Sequence, residues 1–181
     1  SNRHPNDPKI SESKVYQARC FLEAGKFNKA RKILSTIKSS DKRYAQSCLW
    51  VARSLSRQEK FDDCKTYLEE TLKEVQKGDF HEDLLFELAA TELKREQFES
   101  SSDLLKKLAA QYPKSPLLEE ASWLQAYSLH KAGRFKDSFT HCQTFMKDYP
   151  KSKKAGEVFF LMAENSFLRE EYKKAEGLYK T

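Results

Sequence analysis

The chain of 181 residues is 39% hydrophobic and 33% charged, with only five Gly and five Pro, a balance that suits long helices with wetted faces and excludes many-stranded β-structure. No apolar run approaches the roughly 20 residues of a membrane span, so membrane association would have to come through a lipid anchor outside the chain or through a partner. The net charge of +6 is blocked: residues 1–60 carry 14 Lys/Arg against 5 Asp/Glu, residues 61–120 carry 8 against 15, and residues 121–181 carry 11 against 7, a pattern that either steers partners or simply solvates helix faces.

Residues 1–10 hold Pro5, Pro8 and few apolar side chains and are expected to be a loose leader, with Ser1-Asn2 reading as a cleavage scar, so that targeting information could have been removed. Ser11 or Ser13 offers an N-cap for a helix running to Ala24, and Gly25 supplies the break. Phe27, Ala30, Ile33, Leu34 and Ile37 then recur at the spacing of one buried helix face. Tyr44, Cys48, Leu49, Ala52 and Leu55 predict a third helix, which turns at Gln58-Glu59-Lys60 into Phe61, Cys64, Leu68, Leu72 and Val75; Gly78-Asp79 is expected to end that fourth helix. Helices follow over 84–93 and from Phe98 through Leu108, and Pro113 and Pro116 force a break. The remaining elements are expected over 117–132, 135–149, 158–168 and 172–180.

The turns align. Gly25-Lys26-Phe27, Glu59-Lys60-Phe61, Glu96-Gln97-Phe98, Gly133-Arg134-Phe135 and Glu170-Glu171-Tyr172 each end on an aromatic, at spacings of 34, 37, 37 and 37 residues. Nine residues before each aromatic stands Ala18, Ala52, Ala89, Ala126 or Ala163; three after it stands Ala30, Cys64, Ser101, Ser138 or Ala175. A small residue on each helix of a pair lets the backbones approach closely, and the aromatic is expected to plug the groove, its burial contributing roughly 1.5–3 kcal/mol. Tyr-Pro-Lys-Ser occurs at Tyr112 and again at Tyr149, bounding one such unit. A two-helix unit repeated at this period predicts a helical solenoid.

These residues resemble the tetratricopeptide repeat family over about 11–181, with the repeat-end proline matched only by Pro113 and Pro150 and with three extra residues in the longer repeats. The resemblance implies an all-α, right-handed superhelical α-solenoid of about five helix-turn-helix repeats, forming a single domain over 11–181 whose fifth repeat is incomplete, so that the chain either continues or pairs at that end. The Tyr-Pro-Lys-Ser connection is similar to repeats of bacterial envelope proteins, namely outer-membrane assembly lipoproteins of the YfiO type and the Tol–Pal coordinator. It implies a periplasmic or outer-membrane-associated location. The four cysteines, Cys20, Cys48, Cys64 and Cys142, lack Cys-x-x-Cys or zinc spacing and point instead toward a reducing compartment, leaving a cytoplasmic adaptor as the alternative.

No phosphate loop, nucleophile elbow or metalloprotease motif is present. His141-Cys142 are adjacent and point about 100° apart on a helix, and Glu69-Glu70 and Glu119-Glu120 read as solvated faces. No enzyme activity, cofactor, metal or small-molecule substrate is expected. The family resemblance places the first helix of each pair along a concave groove that takes a peptide or a partner helix. It assigns Val15, Arg19, Leu22 and Glu23 to that groove, then Leu49, Arg53, Ser56 and Arg57, then Phe86, Ala90, Leu93 and Lys94, then Trp123, Tyr127, His130 and Lys131, and last Phe160, Glu164 and Phe167. Trp123 and Tyr127 stand one turn apart as candidate anchors. Arg57, Lys94 and Lys131 share one repeat position and, with Arg19 and Arg53, could present a basic track to an acidic peptide or a C-terminal carboxylate. The positions where chaperone-tail clamps of this family need Asn hold Arg19, Arg53, Ala90 and Tyr127, against that mode. Nucleic-acid binding, suggested by the pI of about 9.0, is opposed by the acidic middle third. The expected function is a non-enzymatic interaction scaffold within a multiprotein envelope assembly.

Overall fold

The computed structural model describes residues 8–180, and among them all regular structure is helical: α1 (Pro8–Glu23), α2 (Phe27–Leu34), α3 (Tyr44–Ser56), α4 (Phe61–Glu74), α5 (His81–Lys94), α6 (Phe98–Gln111), α7 (Leu118–Lys131), α8 (Phe135–Asp148), α9 (Ala155–Phe167) and α10 (Tyr172–Tyr179). The leader expected over 1–10 lies outside the described residues up to Asn6-Asp7, and its last three residues are helical. Pro8 opens α1 because a first-turn residue needs no backbone donor.

Each helix pair turns in the same way. Gly25, Glu59, Glu96, Gly133 and Glu170 all have φ between +57° and +75°. In each case the next residue donates its N–H back five positions, as Arg134 does to the Leu129 carbonyl (2.9 Å), and the positive-φ residue donates to the carbonyl three back, as Gly133 does to His130 (2.9 Å). This pair of bonds is the Schellman ending, which occupies carbonyls a helix terminus would otherwise strand. The expected aromatic plug is modest. Phe27, Phe61, Phe98 and Phe135 are half-buried and Tyr172 is exposed, because the ring lies along the end of the preceding helix: Phe135 sits 5.6 Å from the His130 ring and Tyr172 5.5 Å from Phe167.

Two helix ends differ from expectation. α2 stops at Leu34, although Ile37 still reaches the core through a turn in which Ile37 donates its N–H to the Leu34 carbonyl (3.0 Å). α4 ends at Glu74, before Gly78, and Gly78 (φ +105°) and Phe80 (φ +67°) instead bend the chain into α5 at His81.

The described residues fall into two compact units divided between Thr91 and Glu92, inside α5. The first packs Val15, Ala18, Leu22, Ala30, Leu34 and Ile37 together, with Trp50 and Val51 against them. The second is built on Ala126, Phe139, Cys142, Phe145, Val158, Leu161 and Met162, with Trp123 and Tyr127 at its edge. All five periodic alanines are fully buried, as are Ala30, Cys64 and Ser138, with Ser101 and Ala175 at 1–2% exposure. The close approach expected of small residues is therefore realised.

The small polar residues do more than save space. Ser138 Oγ donates to the Ala126 carbonyl (2.7 Å) and accepts from Asn165 Nδ2 (2.8 Å). Cys64 Sγ lies 3.3 Å from the Ala52 carbonyl and 3.4 Å from Thr91 Oγ1, and Ser101 Oγ lies 3.1 Å from Ser128 Oγ. Each repeat thus places a fully buried polar side chain on α5, α7 or α9 against the second helix of the repeat before it, satisfying groups whose isolation would cost about 1–3 kcal/mol each.

Candidate functional site: an aromatic groove between two helices

In the first unit the expected groove residues are engaged locally. The Arg19 and Arg53 guanidinium groups lie 4.8 and 5.0 Å from the Trp50 ring centre, one from α1 and one from its own helix. Arg53 Nε also reaches Glu87 (3.3 Å), and Arg57 pairs with Glu23 (3.0 Å) across exposed helix ends. Val15, Leu22 and Leu49 are only 2% exposed and belong to the core, Val15 and Leu22 packing with Ala30 and Leu34 of α2. Phe86 is half-buried and Lys94 exposed, on two different turns of α5.

In the second unit α7 and α9 enclose a groove of about 510 Å³ lined by Trp123, Tyr127, His130, Gly156, Glu157, Phe160, Leu161 and Glu164. Trp123, Tyr127 and His130 were expected together and are together. Lys131 is not with them; its Nζ instead lies 5.8 Å from the Phe98 ring. The repeat explains the convergence. Residues 123, 127 and 130 rise along one face of α7 at i, i+4, i+7, and Phe160 and Glu164 occupy the equivalent places on α9, 37 residues on. The Trp123 and Tyr127 rings are 6.1 Å apart and tilted by 36°. Phe160 is 59% exposed, an unusual position for a large apolar ring. Gly156 leaves the α9 entrance open, with no atom within 4 Å of where its Cβ would stand.

The polar groups of the groove are held from behind. Asn165, fully buried, donates through Nδ2 to Ser138, so its Oδ1 faces His130 Nδ1 at 2.8 Å. His130 must donate there, which in the neutral ring leaves Nε2 as an acceptor. The Glu164 carboxylate accepts the Tyr179 hydroxyl, and Tyr179 is also 5.8 Å from the Phe160 ring in an edge-on contact. That hydrogen bond pushes the Tyr179 phenol up to about 12, so the hydroxyl remains the donor and Glu164 the acceptor at neutral pH. A rim cation, Lys154, stands 6.0 Å from the Trp123 ring and is paired with Glu120 at 3.0 Å.

Glu157, Leu161 and Asn165 escaped sequence reasoning. Asn165 had a signal: Ser54, Thr91, Ser128 and Asn165 form a polar series at 37-residue spacing, two residues after each periodic alanine. Trp50 was also missed, although Tyr16 holds the same repeat position, two residues before the periodic alanine.

Other sites suggest structural roles. A hollow of about 630 Å³ lies along residues 148–154 and is lined mostly by that connecting loop, whose Ser152 donates to Glu119 (2.7 Å). Cys142 is fully buried, burial pushing its thiol up to about 12, while its neighbour His141 faces Ser122 at 3.1 Å. Cys142 is therefore held as a thiol away from any base. Among the described residues no group of three His, Cys, Asp or Glu could hold a metal, and no helix is long and apolar enough to cross a membrane.

Solved structures share this fold. The TPR-like repeats of a putative kinesin light chain from Podosopora anserina superpose with a TM-score of 0.77 at 16% identity, over 98% of this chain and 94% of that one. MamA from Desulfovibrio magneticus RS-1 superposes with a TM-score of 0.77 at 13% identity, over 94% of this chain and 92% of that one. No curated protein matches. At these identities the likeness establishes the TPR-like fold. The family model YfiO, outer membrane lipoprotein, matches residues 78–176, more than half of the sequence and all of the groove, and the chain therefore belongs to the YfiO family of TPR-like proteins.

Proposed function

We propose that this protein is a non-enzymatic scaffold of a bacterial envelope assembly that docks a segment of a protein partner in the groove between α7 and α9. The observation that carries the reading is the convergence of Trp123, Tyr127 and the exposed Phe160 on one open groove with His130 and Glu164 positioned beside them. Rigid, partly exposed aromatics with anchored polar neighbours are the composition of binding hot spots. The family description, outer membrane lipoprotein, supports the envelope.

The test is a crosslinked capture from native cells with the full-length protein, comparing wild type with Tyr127→Ala, Phe160→Ala, after circular dichroism has shown equal helix content. Outer-membrane or cell-wall machinery held by wild type and lost by the variant supports the reading; the same set captured by both refutes the groove. The four cysteine thiols favour a second reading, a cytoplasmic adaptor, and cell fractionation separates the two.

A further inference from the structure

Resting on that docking role, we propose that the α7–α9 groove recognises an arginine side chain presented by a basic segment of the partner, the guanidinium stacking among Trp123, Tyr127 and Phe160 and donating to the carboxylates of Glu157 and Glu164 and to His130 Nε2. The basic track read from the sequence suggested an acidic partner. The groove's chemistry has the opposite sign.

The charge inventory is one-sided. Two carboxylates line the groove, and none of its lining residues is Lys or Arg. Lys154 at the rim is committed to Glu120, and Lys131 lies over Phe98. The hydrogen-bonding inventory leans the same way, although the Trp123 indole N–H and the Tyr127 hydroxyl among the lining side chains can donate. Glu164 and Glu157 are acceptors when ionised, and the Asn165 bond to Nδ1 leaves His130 Nε2 an acceptor in the neutral ring. Tyr179, which could have donated into this space, spends its hydroxyl on Glu164 and so fixes where that carboxylate stands. Three aromatic faces and several acceptors around one cavity suit a group that is cationic, planar and purely a donor. Guanidinium meets all three requirements; it carries five N–H donors, no acceptor, and stacks on aromatic faces. An ammonium meets only two, since it is compact and strongly hydrated. A carboxylate would meet two like charges and no cation among the lining residues.

The two tryptophans, Trp50 and Trp123, make the test direct, because the Trp123 indole N–H can be assigned in a nitrogen–proton spectrum by Trp50→Phe. The intact chain would be titrated with the capped peptide Ac-Ala-Leu-Arg-Leu-Ala-amide, with its citrulline and lysine counterparts, and with its glutamate counterpart. The arginine peptide is expected to shift the Trp123 indole saturably. The citrulline peptide, which keeps shape and loses charge, should bind at least about fivefold more weakly, the lysine peptide should fall between, and the glutamate peptide should be weakest. Glu164→Gln and Glu157→Gln, which preserve shape, should each weaken arginine binding about three- to tenfold and citrulline binding by clearly less.

Equal binding of citrulline and arginine, or indifference to both Glu→Gln changes, overturns the arginine assignment and leaves the groove as a docking surface of another chemistry. Preferred binding of the glutamate peptide overturns it in favour of an acidic partner. A Trp123 indole unmoved by every peptide overturns it as well, and the docking role then stands or falls on the capture experiment alone.

Discussion

Gly133→Ala isolates the cost of the turn that the repeats share. Gly133 has φ +75°, and nothing lies within 4 Å of where a Cβ would be placed, so an added methyl group meets no atom and acts only through the backbone. The left-handed conformation costs an L-residue roughly 1–2 kcal/mol, while losing a glycine's freedom in the unfolded chain returns about 0.4–1 kcal/mol. The expected net destabilisation is about 0.5–1 kcal/mol. Gly177→Ala, the same chemical change inside α10 with equally open space around it, should instead stabilise by up to about 0.5–1 kcal/mol. Glu96→Gly, at φ +59°, reverses the logic of Gly133→Ala and should stabilise by a few tenths to about 1 kcal/mol. Urea unfolding followed by circular dichroism and by tryptophan fluorescence reads all three at unchanged denaturant slope. Shifts of the same sign for Gly133→Ala and Gly177→Ala would refute the backbone account, as would a destabilised Glu96→Gly.

A thiol reagent added to the native chain should modify Cys20 rapidly and leave Cys48, Cys64 and Cys142 unmodified, whereas all four should react in guanidinium; fast native loss of a second thiol would contradict their burial. Burial lowers the pKa of His141 below its usual 6.5, so the unfolded chain takes up that proton more readily; stability should therefore fall as pH drops through about 6.5 and level off below the folded-state pKa. His141→Gln should flatten the difference in unfolding free energy between pH 7 and pH 5, and an unaltered slope would exclude His141 as its source. Asn165→Ala should cost about 1–3 kcal/mol by leaving the His130 Nδ1–H without its acceptor and Ser138 with its bond to Ala126 but no amide donor, and should broaden the His130 imidazole resonances; a neutral effect on urea midpoint would show that water replaces the amide. Phe145→Ala, at a fully buried ring, should cost roughly 3–5 kcal/mol by the same measurement.

The helix pairs were legible because their causes are local and repeated. The alanines at 18, 52, 89, 126 and 163 and the turns nine residues later recur in register, and a five-fold pattern survives individual exceptions such as Glu for Gly at the left-handed position. The ends of α2 and α4 were less legible. Ile37 and Val75 continue an apolar rhythm beyond the helix, and Ile37 reaches the core because a turn can bring a side chain there as well as a helix can. The aromatic centre of the groove was readable from Trp123 and Tyr127, but its charge was not. Counting Arg57, Lys94 and Lys131 gives a basic track, whereas the structure commits Arg57 to Glu23 and Lys131 to the Phe98 ring and leaves Glu157 and Glu164 on the groove. Which of several nearby charges a cation answers depends on helix packing, and a single sequence does not carry that information. Asn165 was hidden by its surroundings: an Asn between Glu164 and Ser166 looks incidental until Ser54, Thr91 and Ser128 are set beside it.

The buried polar couplings make the blocks interchangeable. Cys64, Ser101 and Ser138 sit at one end of a block, and Thr91, Ser128 and Asn165 receive them at the start of the next. Each member of the first set can exchange a hydrogen bond with each member of the second. A tandem duplication or deletion of one whole 37-residue block would therefore keep the two series opposite each other, whereas an insertion or deletion of a few residues between a pair would displace its partners. A protein coupled in this way can lengthen or shorten in units of one repeat while keeping its interior satisfied, so the reach of such a scaffold can change without redesign of its core.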